Sequence, residues 1–254
     1  MCLIFFSLNN HANYKLIIAA NRDEFYHRST ASAGFWKDHP EVVGGRDLEA
    51  QGTWMAMNTA GKIAMVTNYR DPQHIRAHAP TRGALVSNYL TENVEAENYL
   101  NAIAPVASEY NGFNLLLGTV DELWYFSNYK EGMEQVAPGF YGLSNHLLET
   151  PWPKVAEGKK ILSPIFAQTK ANIQQVLDAM HNQALAPDDK LPRTGLPLAR
   201  ERALSAMFIS TENYGTRCST IILVDRDNNV EFVERVYKLT TMDYEEQSFQ
   251  FPII

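Results

Sequence analysis

Two short apolar runs constrain this chain more than any other feature. They are residues 3–6 (LIFF) and 16–20 (LIIAA), separated by the turn-like cluster Asn9-Asn10-His11-Ala12-Asn13. Each run is too short for an amphipathic helix and is bounded by turn residues, so the pattern predicts a buried β-hairpin. Such a hairpin returns the chain toward its own start. It brings Arg22 and Asp23 near Cys2, where the sequence turns abruptly charged as Asn21-Arg22-Asp23-Glu24.

Cys2 follows the initiator Met1. Initiator Met is usually trimmed before a small residue, and trimming would leave a thiol and a free α-amine on one residue. That amine has an ordinary pKa of about 7.7–8, so it can be neutral near physiological pH and take the thiol proton. Nucleophile and general base then come from one residue. Asp23 is placed to orient the ammonium, and Arg22 to favour the thiolate. The same residues also carry a plain structural reading. Cys2 would be a small buried apolar residue at a strand start, and residues 21–24 an ordinary solvated strand end.

Further motifs run in order along the chain: Gly52-Thr53-Trp54, Thr67-Asn68-Tyr69, Tyr110-Asn111-Gly112-Phe113-Asn114, Tyr141-Gly142-Leu143-Ser144-Asn145, Leu148-Glu149-Thr150-Pro151-Trp152, Tyr214-Gly215-Thr216-Arg217 and Ile221-Ile222-Leu223-Val224-Asp225. With Cys2 and Asn21-Arg22-Asp23-Glu24 they resemble the NRDE family, which includes the transport and Golgi organisation protein 2 proteins. The resemblance covers essentially the whole chain. It implies the fold of N-terminal nucleophile hydrolases of the choloylglycine hydrolase and penicillin V acylase type, which cleave amide bonds with an N-terminal Cys. The expected fold class is therefore α+β, a four-layer αββα sandwich, with residues 1–254 as a single domain. The resemblance also implies links to haem handling, to lipid or acyl-CoA metabolism and to secretory-pathway organisation. It brings no agreed reaction.

A chain of 254 residues is long enough to bury a sizeable core, and 45% hydrophobic with 20% charged residues is ordinary for a globular protein. A net charge of −7 argues against non-specific binding to nucleic acid or an anionic membrane. Cys2 and Cys218 do not make a disulfide scaffold, and Cys218 is expected to pack as a small apolar residue. No basic leader and no run of about 18–20 apolar residues is present, so the expectation is a cytoplasmic protein without a transmembrane segment.

Residues 25–47, with Gly44-Gly45, read as loop-rich; the glycine pair lacks the phosphate-binding GxxxxGK[ST] pattern. Residues 53–57 and 62–67 flank Asn58-Thr59-Ala60-Gly61 as a second hairpin. Residues 69–82 read as a polar loop at a pocket rim. His74 and His78 lie four apart there. They lack the Glu of HExxH and are flanked by Pro72 and Pro80, which argues against a metal site. Leu85, Val86, Tyr89 and Leu90, then Ala96, Tyr99, Leu100 and Ile103, predict two helices covering a sheet. Residues 114–119 and 123–127 form a third hairpin, and 140–144 a further strand. Residues 152–162 predict a helix ended by Pro164, and Ile173, Val176, Leu177 and Met180 another. Residues 187–197 read as a loop and 198–207 as a short helix. Residues 220–224 and 230–236 form a fourth hairpin, and a last strand is expected near 248–251. Strands and helices gathered in blocks fit layered α+β.

For amide hydrolysis the expected site is Cys2 as nucleophile and proton carrier, with Arg22 and Asp23 beside it. The hydrolase resemblance assigns Asn145 and Asn68 as oxyanion donors and Arg217 as a second arginine, with Arg200 and Arg202 as rivals for that place. In the hydrolases the Arg stands three residues before the Asp; here Arg22 immediately precedes Asp23. His146 is expected to be a neutral packed histidine. The alternative to catalysis is a binding protein on the same shell, without a resident cofactor. Its cargo would be haem, held by His27, His74, His78 or Cys2, or an acyl-CoA-like lipid. On either reading the partner is a small molecule rather than nucleic acid.

Overall fold

The computed structural model describes residues 2–238, 241 and 243–254. The first hairpin joins β1 (Cys2–Leu8) to β2 (Tyr14–Phe25). β3 (Thr30–Phe35), β4 (Val42–Asp47), β5 (Met55–Asn58) and β6 (Lys62–Asn68) follow. Helices α1 (Gly83–Thr91) and α2 (Ala96–Ile103) come next. Then come β7 (Phe113–Thr119), β8 (Leu123–Ser127), β9 (Met133–Gln135) and β10 (Gly139–Leu143). Helices α3 (Pro153–Phe166), α4 (Ile173–Met180) and α5 (Leu198–Ala203) precede β11 (Tyr214–Asp225), β12 (Asn229–Tyr237) and β13 (Tyr244–Pro252).

The strands form two antiparallel sheets. One has the order β10-β1-β2-β11-β12-β13, and the other runs β3 to β9 in chain order. Three apolar layers hold them. Ile4, Phe6 and Ile18 of the first sheet meet Met57, Met65 and Leu116 of the second. The alternate residues Leu3, Phe5, Ile17 and Ala19 face away and pack on Val155, Leu162, Val176 and Leu177 of α3 and α4. On the far side, Ala64, Val66, Leu115 and Leu117 pack on Leu85, Val86 and Leu100 of α1 and α2. The result is a four-layer αββα sandwich. Strands buried on both faces need apolar residues at every position, which is why LIFF and LIIAA lack alternation.

Three expectations on local structure are corrected. Residues 25–47 are not mainly loop, because β3 and β4 lie within them. Gly44 and Gly45 belong to β4 because neighbours crowd them. A Cβ on Gly44 would lie 2.5 Å from the Ala56 Cβ, and one on Gly45 would lie 2.2 Å from the Trp54 ring. Pro164 does not end α3, which continues to Phe166. So close to the C-terminus, the missing N–H costs a single bond at the last turn. The helix from residue 198 stops at Ala203, well short of 207. Among the described residues, no helix is long and apolar enough to cross a membrane.

Candidate active site

The site grows from the register of three strands. Cys2 stands opposite Arg22 across β1 and β2, and Arg22 stands opposite Cys218 across β2 and β11. Side chains alternate along a strand, so Arg22 shares the inter-sheet face with Cys2 while Asn21 turns to the helix face and donates to the Met180 and Met207 carbonyls. The Arg22 guanidinium lies 4.2 Å from the centre of the ring of Trp54, the residue just before β5 of the other sheet. A cleft of about 270 Å³ opens over Cys2; Arg22, Asp23, Trp54 and Asn68 are among its lining residues. Residues 79–82, from the loop expected to form a rim, line the same cleft.

Cys2 is a free, buried cysteine. Burial pushes its thiol above the ordinary range, and Asp23 adds to the rise while Arg22 opposes it. A thiol in that state needs a base to become a nucleophile. Asp23 is wholly buried; its Oδ1 accepts from Thr216 Oγ1 at 2.7 Å. Burial raises its carboxyl, and the nearby Lys154 ammonium pulls it back. The side chain of Asn68 makes no hydrogen bond to a described residue, whereas its carbonyl accepts from Asn145 Nδ2 at 3.0 Å.

Asn145 is placed differently from the expectation. It is fully buried and does not line the cleft. Its amide N–H is directed to the Asn68 carbonyl, and its Oδ1 accepts from Ser144 Oγ at 3.2 Å and Lys154 Nζ at 3.3 Å. It therefore supports Asn68 from behind. Arg217 also stays outside the cleft. It is the extra residue of an irregularity in β11, between Thr216 opposite Asp23 and Cys218 opposite Arg22. That bulge turns its side chain to the loop after β2. There Nη1 donates to the carbonyls of Phe25 and Arg28, both at 3.0 Å. Neither rival arginine lines the Cys2 cleft: Arg200 lines a neighbouring one, and Arg202 pairs with Asp188. Met1 lies outside the described residues.

Lys154 was not singled out by the sequence. It sits at the second position of α3, is 2% exposed, and its pKa is pushed down to about 8, mainly by burial. A cation at a helix N-terminus opposes the helix dipole, so its position is set by Asp23 and Asn145 rather than by the helix. The sequence signal was there as Pro153-Lys154, a lysine in the first turn of a helix. His146 is held by two contacts, Nε2 at 2.8 Å from Tyr69 Oη and Nδ1 at 2.9 Å from Thr150 Oγ1, and burial lowers its pKa. Of the haem-ligand candidates, His27 and His78 are exposed, and His74 Nδ1 is 2.6 Å from Asp71 Oδ2; none of the three lines the Cys2 cleft.

Among solved structures, the chain is similar to the Caenorhabditis elegans ortholog of N-acylethanolamine-hydrolyzing acid amidase, with a TM-score of 0.51 and 8% identity over 87% of this chain and 92% of that one. It also matches the C2A mutant of conjugated bile acid hydrolase from Clostridium perfringens, with a TM-score of 0.44 and 9% identity, covering 99% and 97% of the two chains. At 8% identity the first of these likenesses shows the N-terminal nucleophile hydrolase fold alone. Sequence relatives are much nearer. The chain is 39% identical to the Transport and Golgi organization protein 2 homolog of Bos taurus over 92% of both chains. It is 36% identical to the Transport and Golgi organization 2 homolog of Mus musculus, over 100% of this chain and 99% of that one. The sequence profile of one family, Transport and Golgi organisation 2, matches residues 1–239. The chain belongs to the Transport and Golgi organisation 2 family.

Proposed function

We propose that the protein is a cysteine N-terminal nucleophile amidohydrolase or acyltransferase acting on a small amide or acyl compound. One observation carries the reading: Cys2, Arg22, Asp23 and Asn68 converge on one cleft between the two sheets, at the open end of the first hairpin. Once Met1 is removed, the Cys2 α-amine takes the thiol proton and Sγ attacks the substrate carbonyl carbon. The proton then passes to the leaving amine or thiol as its bond to that carbon breaks. Water, or a second acceptor, releases the acyl group from the thioester, and the thiol regains its proton. The Asn68 side chain donates to the oxyanion, with Asn145 bracing the Asn68 carbonyl from behind. A donor of this kind is worth about 3–4 kcal/mol. Arg22 favours the thiolate that burial disfavours.

The test is a screen of small amides and acyl thioesters with the native protein and its Cys2→Ala and Cys2→Ser variants. Turnover abolished in both variants supports the reading. Saturable uptake of haem or an acyl-CoA by native and variant alike, without turnover of any substrate, would overturn it in favour of a binding protein on the same shell.

A further inference from the structure

The Cys2 cleft is lined by three guanidinium groups, Arg22, Arg28 and Arg82, and three carboxylates, Asp23, Glu24 and Asp47. Their formal charges balance, but their contacts do not. Arg28 is engaged by Asp47, with Nε and Nη2 at 2.9 and 2.6 Å from Oδ2. Asp23 accepts from Thr216 and faces Lys154. Glu24 accepts from the Phe25 N–H and reaches Arg22 Nη2 only at 4.0 Å.

Donors are left over. Arg22 is 5% exposed, and its Nη1 has no hydrogen-bond partner among the described residues. The Arg82 Nη1 donates to the Gly112 carbonyl at 3.0 Å, and the guanidinium forms no ion pair with a described residue. The nine-residue helix α1 begins at Gly83, which lines the cleft, and no side chain caps it. Gly52 packs closely on this helix start: a Cβ on it would lie 2.5 Å from the Gly83 carbonyl carbon. A positive helix end and two guanidinium groups with unused N–H groups thus border one cleft. Such a set matches an anionic oxygen group.

We propose that this part of the cleft is an anion subsite, and that the compound acted on at Cys2 carries a carboxylate or a phosphate as well as its acyl carbon. This rests on the catalytic reading above and names its substrate class. Arg82 also lines the neighbouring cleft of about 330 Å³, where Phe25, Ile75, Leu196 and Leu204 offer an apolar wall for the remainder of the molecule.

The experiment is a calorimetric titration of the intact protein at low ionic strength with inorganic phosphate and, separately, with succinate. Native protein, Arg82→Gln and Arg82→Lys are compared. One saturable site per chain is expected, weakened about tenfold in Arg82→Gln and less in Arg82→Lys, which keeps the charge but loses the fork. Tighter phosphate points to a phosphorylated compound, and tighter succinate to a carboxylate. A second measurement locates the site. Cys2 alkylation by anionic iodoacetate, relative to neutral iodoacetamide, is expected to exceed the same ratio for a free cysteine peptide and to fall to it in Arg82→Gln. Absence of saturable binding by either anion at millimolar concentration, or equal binding in all three proteins, overturns the proposal. Anion binding without turnover of any substrate leaves the subsite standing and refutes the catalytic reading alone.

Discussion

Replacing Lys154 by Met isolates the electrostatics beneath Cys2. The ammonium is 2% exposed, and burial lowers its pKa from 10.5 to about 8. The folded chain thus releases this proton near pH 8 and the unfolded chain near pH 10.5. Between those values the unfolded state binds more protons, so the Lys154 contribution to stability rises with pH. At about 1.36 kcal/mol per pKa unit, the rise across the window is about 3 kcal/mol. The assay is urea unfolding of native protein and Lys154→Met at a series of pH values from 8 to 10.5. Groups common to both proteins, such as the tyrosines and Cys218, largely cancel in the difference between the two curves. The native curve is expected to climb relative to the variant across the window. Parallel curves would refute the claim that Lys154 is held in the folded protein as a buried, destabilised cation.

Three further outcomes follow from packing and hydrogen bonding. Gly158→Ala places a Cβ 2.0 Å from Phe5 Cζ, and a loss of about 1–3 kcal/mol is expected; an unchanged urea midpoint counts against the described fit of α3 on β1. Asn21→Ala removes the Nδ2 donor to the carbonyls of Met180 and Met207 at 2.9 and 2.8 Å, so a loss of about 2 kcal/mol or more is expected; an unaltered melting curve would contradict a clamping role. Arg22→Met should slow Cys2 alkylation by removing the charge that favours the thiolate, whereas Arg217→Met, whose guanidinium holds backbone carbonyls, should leave it unchanged. Equal slowing in both variants would show that Arg217 acts on the thiol after all.

What could be read in the sequence was whatever local pattern dictates. The paired runs at residues 3–6 and 16–20 announced the hairpin, and its geometry alone carries Arg22 to Cys2. The helical spacing around Leu85 and Val176 likewise marked faces that cover the two sheets. Where the reading failed, a contact distant in sequence decided the outcome. Gly44-Gly45 read as loop because the side chains that require glycine there come from the next strand and the residue before it, Ala56 of β5 and the Trp54 ring. Arg217 was expected in the site because a bulge cannot be seen without the partner strand. Asn145 turned out to support Asn68, a contact 77 residues away. Lys154 was overlooked because a lysine after proline looks like any exposed first-turn residue until Asp23 and Asn145 are placed beside it. Even within Asn21-Arg22-Asp23-Glu24 the labour divides by strand alternation. Asn21 ties β2 to α4 and the segment after α5, while Arg22 faces the inter-sheet cleft.

The central claim, a nucleophile whose base is its own α-amine, is tested most directly by the intact mass of the protein purified from its own cells. A chain that has lost Met1 and begins with an unmodified Cys2 is expected. A population that uniformly retains Met1 would contradict it, because Cys2 would then carry an amide nitrogen in place of the amine that must take the thiol proton.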